Sequence, residues 1–341
     1  MNKINSTENT DESISISGDF KDFKESLGNN PIEKVSLVVS VYNEEAVLVK
    51  FYKEALPYLK NTGKKYEILF VNDGSIDSSR QILNDIAAGD KNVKVLHFSR
   101  NFGHEAAMIA GIDYADADAL ICMDADLQHP PSCIPMMIEK FDGGYDIISM
   151  IRTGNKSAGI IKNIASNGFY TVINILSDTK IEKSASDFFG ISKRAAEILK
   201  KSYREKVRFL RGFVQNLGFN KTTLKYEAGI RAAGQSKYSI KKLFRFSINT
   251  ILCFSDFPLK LGIYAGISAA VLGFIMMVYT IYSWASVGTP NGYATIIVLL
   301  CFMFAVLFVI VGIIGQYIGI IFSELKDRPI YIIEEGKNIK I

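Results

Sequence analysis

Asp124 and Asp126, two positions apart and followed by the amide of Gln128, are the residues of this chain best suited to chemistry. Two carboxylates and an amide oxygen at that spacing suit a hard divalent cation. Mg²⁺, and Mn²⁺ by the same oxygen chemistry, takes one or two carboxylates and completes its shell from substrate phosphates. A bare Asp-x-Asp is more commonly a solvated turn with capping duties, so the elements that hold it must decide. The apolar run 119–123 predicts a short buried strand ending just before Asp124. Pro130 and Pro131 forbid its continuation. The carboxylates then lie at a strand's carboxyl end, where open α/β sheets bind ligands.

The rest of the chain supplies that sheet. Apolar runs at 35–41, 66–71, 93–98, 119–123 and 146–150 predict strands. Helix-like stretches at 43–60, 77–88, 105–114 and 131–141 alternate with them, with Asn43 as N-cap candidate of the first. Repeated β–α units imply a mainly parallel sheet covered on both faces. No Gly-x-Gly-x-x-Gly follows a strand and no Walker pattern appears, which disfavours nicotinamide and P-loop chemistry. Four cysteines, Cys122, Cys133, Cys253 and Cys301, have neither metal nor disulfide spacing and read as apolar fillers. The net charge of +4 does not call for nucleic acid.

Hydropathy divides the chain. Residues 261–323 contain no Asp, Glu, Lys or Arg. A membrane-spanning helix needs about 20 apolar residues, so this length holds two, expected near 262–284 and 293–318 with a polar break at 283–291. Lys237, Lys241, Lys242, Arg245 and Lys260 precede the pair, and Lys326, Arg328, Lys337 and Lys340 follow it. This asymmetry predicts both flanks in the cytoplasm. Ile240, Leu243, Phe244, Ile248, Ile251 and Leu252 form one face of a basic amphipathic segment expected to lie in the interface. The stripe within 157–176 reads as core packing. Gly262-xxx-Gly266 and Gly315-xxx-Gly319 offer close helix packing, within the hairpin or between protomers of a homo-oligomer. The segment 328–333 reads as a short edge strand. The expected divisions are a disordered tail at 1–31, polar, acidic and without signal-peptide character; a catalytic domain at 32–236; a juxtamembrane amphipathic helix at 237–257; two transmembrane helices within 258–320; and a cytoplasmic segment at 321–341.

Several stretches in order carry a family likeness. These are Val41-Tyr-Asn-Glu-Glu45, Val71-Asn-Asp-Gly-Ser75, Ser99-Arg-Asn-Phe-Gly103, Asp124-Ala-Asp-Leu-Gln128, Arg208-Phe-Leu-Arg-Gly212 and Gly234-Gln-Ser-Lys-Tyr238, followed by the two-span tail. Over about residues 33–333 the chain resembles the membrane-anchored polyprenyl-phosphate glycosyltransferases of family 2, with bactoprenol glucosyltransferases and dolichyl-phosphate mannose synthase among them. The resemblance implies a GT-A, Rossmann-like α/β fold, a nucleotide-sugar donor, a polyprenyl phosphate acceptor at the cytoplasmic membrane face, and inversion at the anomeric carbon. It implies a donor pocket formed by Tyr42, Asn43, Glu44, Asp73, Arg100 and Lys237. Asp124 would stand near the ribose or metal, with Asp126 and Gln128 on the metal. Arg152, Lys162, Ser166, Arg208, Arg211 and Arg231 would meet phosphate, and Asp187 would be a vestigial base position or a sugar contact. His104 and His129 adjoin the motifs, His104 as a donor contact or as a capping or packing residue.

The chain departs from the family where Lys162 stands for a common Arg, where Ser186-Asp-Phe-Phe-Gly190 stands for Asp-Phe-Arg-Leu, and where Ala228 stands for a frequent Arg. A processive polysaccharide synthase is disfavoured because its Gln-x-x-Arg-Trp motif is missing; the only tryptophan is Trp284. A non-catalytic nucleotide-sugar or lipid scaffold would have no need of the intact Asp-x-Asp. A transporter does not fit two spans beside a large polar domain.

Overall fold

A computed structural model describes residues 32–153, 185–206, 208–229, 257–287 and 292–341. The apolar runs form β1 (Lys34–Val41), β2 (Lys65–Asn72), β3 (Val93–Phe98), β4 (Ala119–Asp124) and β5 (Ile147–Thr153). Between them lie α1 (Leu48–Lys60), α2 (Ser79–Gly89), α3 (His104–Tyr114) and α4 (Ile134–Asp142), the last entered through a 3₁₀ turn at Pro131–Cys133. Then follow β6 (Ala185–Ser192), α5 (Lys193–Ser202), α6 (Leu210–Asn216) and β7 (Lys221–Glu227). Two long helices, α7 (Phe257–Val287) and α8 (Tyr293–Leu325), and a last strand, β8 (Ile333–Lys337), complete the order.

One sheet runs in the order β7-β5-β6-β4-β1-β2-β3-β8. The pairs β4–β1, β1–β2, β2–β3 and β5–β7 are parallel, whereas β6 and β8 run antiparallel to their neighbours. β1 and β4 are buried along almost their whole length, as expected of strands covered on both faces. On one side α1 packs Leu48, Phe51, Ala55 and Leu59 onto the sheet, a stripe at helical spacing. On the other side α3 is buried continuously from Ala106 to Ile112. This helix lies so close to β1 that a Cβ on Gly111 would meet Val38 Cγ1 at 2.1 Å.

Some elements differ from expectation. The first helix starts at Leu48, and Asn43 does not cap it. Asn43 sits at φ 55°, and its side-chain Oδ1 instead accepts the Ile76 N–H at 2.9 Å. A short polar side chain tolerates the left-handed region and here bonds across to another loop. The edge strand lies at Ile333–Lys337, later than 328–333, because its partner β3 is reached only from there. β6 and β7 had no counterpart among the expected strands.

α7 and α8 contain stretches long and apolar enough to cross a membrane, Phe257–Tyr282 and Phe302–Leu325. Their large side chains face outward, Phe274 at 62% and Phe308 at 70% exposed, so no protein core explains their apolarity. Gly262 and Gly266 face Ile310 of α8, which places that small-residue pair inside the hairpin. The amphipathic segment 240–252, the 157–176 stripe and the tail 1–31 lie outside the described residues. Cys122 and Cys133 are free and buried, as fillers should be.

Gly111→Ala tests the α3–β1 contact. Alanine ordinarily favours a helix over glycine by about 1 kcal/mol. Overpacking a close-packed core costs about 1–3 kcal/mol, so a net loss of stability should appear as a lowered Tm in thermal unfolding. An unchanged or raised Tm would show that Val38 yields freely.

Candidate active site

Asp124 ends β4 opposite Ser40 of β1 in the parallel register. The Ser40 hydroxyl donates to Asp124 Oδ1 at 3.0 Å, and His104 Nε2 lies 2.6 Å from the same oxygen. The His104 and Asp124 side chains are each about a third exposed. Burial alone would push the His104 pKa down, but the Asp124 carboxylate outweighs it and lifts the imidazole above its ordinary value. Burial likewise pushes the Asp124 pKa up, and the facing His104 reverses this and holds the carboxyl below the usual range. The two form an ion pair at the mouth of the site.

Beyond Asp124 the chain folds back on itself. Leu127 takes φ 61°, and Asp126 Oδ1 accepts the Gln128 N–H at 3.0 Å. The Asp124 N–H donates to His129 Nδ1 at 3.0 Å, which leaves the other ring nitrogen of a neutral His129 to carry the proton. The His129 ring stacks on Phe188 of β6 at 5.0 Å and meets Tyr226 of β7 edge-on at 6.0 Å. Gly229 closes the turn from above: its N–H donates to Gln128 O, and a Cβ there would meet Leu127 O at 2.4 Å. Asp126 is thereby held in a rigid, largely buried turn, 8% exposed. Arg152, at the end of β5, brings its guanidinium to 3.5 Å from Gln128 Oε1, and its buried Nε has no hydrogen-bond partner. A half-buried cation whose buried Nε has no partner among the described residues, beside the Gln128 amide oxygen, is a setting that suits an anionic ligand. Among the described residues no three of His, Cys, Asp and Glu gather as a complete metal set. A cation here would take most of its ligands from a phosphate-bearing substrate and water, which fits Mg²⁺ or Mn²⁺ and not a closed protein cage.

Two loops expected to line the donor pocket are bonded to each other. Asp73 is 2% exposed. It accepts the Phe102 N–H at 2.6 Å, the Gly103 N–H at 3.0 Å and the Asn101 amide at 2.9 Å. Burial pushes its pKa up, and these donors act against that. Asn43, Glu44 and Glu45 are stitched to residues 75–79 in the same manner. Tyr42 and Glu44 are half-buried at this edge. Asp187 of β6 lies 3.8 Å from Arg211, whose guanidinium covers the Phe209 ring.

Arg100 and Arg208 stand elsewhere. Both line a cavity of about 500 Å³ between the 100–103 loop and the end of α8, a cavity lined by none of Asp124, Asp126, Gln128 and Arg152. Lys162, Ser166, Arg231 and Lys237 lie outside the described residues. The structure thus gathers Asp124, Asp126, Gln128 and Arg152, with His104 and His129 from beside the motifs and Ser40, which the sequence does not single out. His104 and His129 border the motifs and were visible as neighbours. Ser40 carried no signal until β1 and β4 were paired.

The Glycosyl transferase family 2 profile matches residues 36–199. The chain is 39% identical over 306 residues to the uncharacterized glycosyltransferase YkcC of Bacillus subtilis (strain 168), covering 89% of this chain and 94% of that one. It is 36% identical to the SfII prophage-derived bactoprenol glucosyl transferase of Shigella flexneri, covering 89% of this chain and 98% of the relative. It is 35% identical to the prophage bactoprenol glucosyl transferase homolog of Escherichia coli (strain K12), covering 89% and 99%.

Asp73→Ala should strand two backbone N–H groups and the Asn101 amide in a buried loop. At about 1–3 kcal/mol for each unmet buried donor, unfolding in denaturant should show a loss of at least about 2 kcal/mol. Unchanged stability with lost nucleotide binding would make Asp73 a ligand contact and not the tie between loops.

Proposed function

The chain belongs to glycosyltransferase family 2, and from that premise we propose that it moves a sugar from a nucleotide donor to the phosphate of a polyprenyl lipid such as undecaprenyl phosphate. The donor is a uridine diphosphate hexose or N-acetylhexosamine. Transfer takes place at the cytoplasmic face of the cell membrane, with α7 and α8 as a membrane hairpin, and serves modification of cell-envelope glycans. The observation that carries this reading is the Asp126–Gln128–Arg152 group at the carboxyl edge of β4 and β5. It stands in a chain aligned along 89% of its length with a bactoprenol glucosyl transferase.

The chemistry needs little from a base. The acceptor is a phosphate monoester with a second pKa of about 6, already anionic at neutral pH. Its oxygen attacks the anomeric carbon, the bond to the diphosphate breaks, and the configuration inverts. Asp126 and Gln128, with Asp124 at its side, are the residues that would hold Mg²⁺ or Mn²⁺, which when bound neutralises charge on the departing diphosphate. The chain's own task is to bring two anions together. Arg152 sits where it can share a phosphate oxygen with Gln128. His104, held by Asp124, is poorly placed to act as a base and instead fixes the end of β4. Asp187 is engaged by Arg211, and we assign it to a sugar hydroxyl. By resemblance Lys162 and Ser166, four apart on an expected helix, present one cation and one hydroxyl to the acceptor phosphate. Arg211 and Arg231 add positive charge on that side. Tyr42, Asn43, Glu44 and the Lys237 loop serve the donor.

Asp126→Asn should nearly abolish transfer of labelled sugar from a nucleotide sugar to undecaprenyl phosphate while the protein stays folded. Full activity in that variant, or activity indifferent to exhaustive chelation, defeats the metal assignment.

Lys162→Ala should weaken use of the lipid acceptor by about ten- to a hundredfold, the range of one charge-assisted contact to phosphate. Donor binding should barely change, and Lys162→Arg should keep activity. Steady-state kinetics in the lipid beside nucleotide-sugar binding decide it. A donor defect with an unchanged acceptor dependence moves these residues to the diphosphate.

A further inference from the structure

The cavity beside the end of α8 shares no lining residue with the Asp-x-Asp group, and no step of the transfer proposed above is routed through it. Arg100, Lys206, Arg208, Lys326 and Arg328 line it, and among the described residues no carboxylate does. Arg100, Arg208, Lys326 and Arg328 make no ion pair with another described residue. Arg100 lies over the Phe102 ring at 3.9 Å and Lys326 over Phe322 at 4.3 Å, contacts that leave their charge uncancelled. The Arg208 guanidinium donates to Ile330 O at 3.4 Å, and at longer range it feels the carboxylates of Glu105, Asp73 and Glu324. Lys206 holds the Arg328 carbonyl and lies 3.7 Å from Asp327, whose side chain is 98% exposed. Of the other acids nearby, Glu205 and Glu324 line the neighbouring cleft with Asp327, and Glu105 and Asp73 act on Arg208. Like charges do not collect around a hollow without cost, so an anion belongs in it.

Its position says what carries the anion. Gly319, Phe322 and Ser323 of α8 form one wall, inside the apolar stretch Phe302–Leu325 that would cross a membrane. Gly312, Gly315 and Gly319 fall on one face of α8 below the cavity, and each has open space where a Cβ would stand. A soluble phosphate needs no apolar track, whereas a lipid tail does. Basic pockets at the membrane-side ends of spanning helices are a recurring headgroup design.

We propose that this cavity holds the phosphodiester headgroup of an anionic glycerophospholipid from the surrounding bilayer, its acyl chain lying along the Gly312–Gly315–Gly319 face. The bound lipid is not the acceptor. It joins the 100–103 loop, Lys206, Arg208 and the end of α8 through one shared anion. This inference rests on α8 being a membrane span and not on the sugar-transfer reading.

Native mass spectrometry of the full-length protein in mild detergent tests it, with dioleoyl phosphatidylglycerol as the titrated lipid and dioleoyl phosphatidylcholine as the zwitterionic control. One phosphatidylglycerol should be retained in preference to phosphatidylcholine. The double variant Lys326→Gln, Arg328→Gln should weaken retention by about thirtyfold, from the usual worth of two basic residues at an anionic surface. Lys206→Gln, on a different segment, should weaken it in the same direction, and keeps the test open if the double variant misfolds. Arg328→Lys should restore most of the binding. Equal retention of the two lipids, or no loss in either variant, overturns the proposal. Displacement by inorganic phosphate makes the cavity a free-anion site, and one-for-one displacement by undecaprenyl phosphate makes it the acceptor's; either result also overturns it. A protein that retains phosphatidylglycerol but transfers no sugar refutes the proposed function alone.

Discussion

A carboxylate at the end of a buried strand must be compensated, and the site is arranged around that requirement at Asp124. Ser40 and His104 meet one of its oxygens, and the His129 ring accepts its backbone N–H. Each partner comes from a different place: the neighbouring strand, the start of α3, and the far side of the turn. Fixing Asp124 therefore fixes β1, α3 and the 124–129 turn relative to one another. With Asp124 paired to His104, Asp126 and Gln128 follow in the turn beyond it, and the Arg152 guanidinium lies 3.5 Å from Gln128 Oε1. A site assembled in this way is organised before any ligand arrives, which is where electrostatic stabilisation gains most.

How far the sequence reached follows the locality of the signals. β1 through β5 were legible because they are continuous apolar runs, buried on both faces. β7 was not, because an edge strand reading Lys-Thr-Thr-Leu-Lys-Tyr-Glu buries only Tyr226 and looks like surface. β6 mixes Ser186 and Asp187 with Phe188 and Phe189, so its period is blurred. The Asp-x-Asp could be placed at a strand end because the prolines bound it. The turn beyond it could not be drawn, since its shape depends on Gly229, about a hundred residues away. Asn43 misled for a related reason: a residue type favoured at helix starts was used to tie two loops, a contact between distant segments. The motifs at 71–75 and 99–103 are both assigned to the donor pocket by resemblance, with no sign in the sequence of how they touch. They are one structure, joined through Asp73.

Charge placement links the polar domain to the hairpin. The cations that flank the apolar region are not only a topological signal. Lys326 and Arg328 line a cavity together with the 100–103 loop, so cations that follow the apolar region also complete a surface of the sheet domain. That gives the hairpin a fixed relation to the domain beyond simple tethering.

The last strand adds a constraint of another kind. β8 pairs with β3, Arg80 of α2 grips Glu334 and Glu335, and the Asn338 amide donates to the carbonyls of Ala87 and Val93. In the chain, β8 follows both long helices. During synthesis the edge of β3 must wait, unpaired, until α7 and α8 have emerged and been accommodated. Exposed edges of this sort are what aggregating chains use. The sheet domain can thus complete its edge only after both long apolar helices have been synthesised, so the last step of its folding is tied to the fate of those helices.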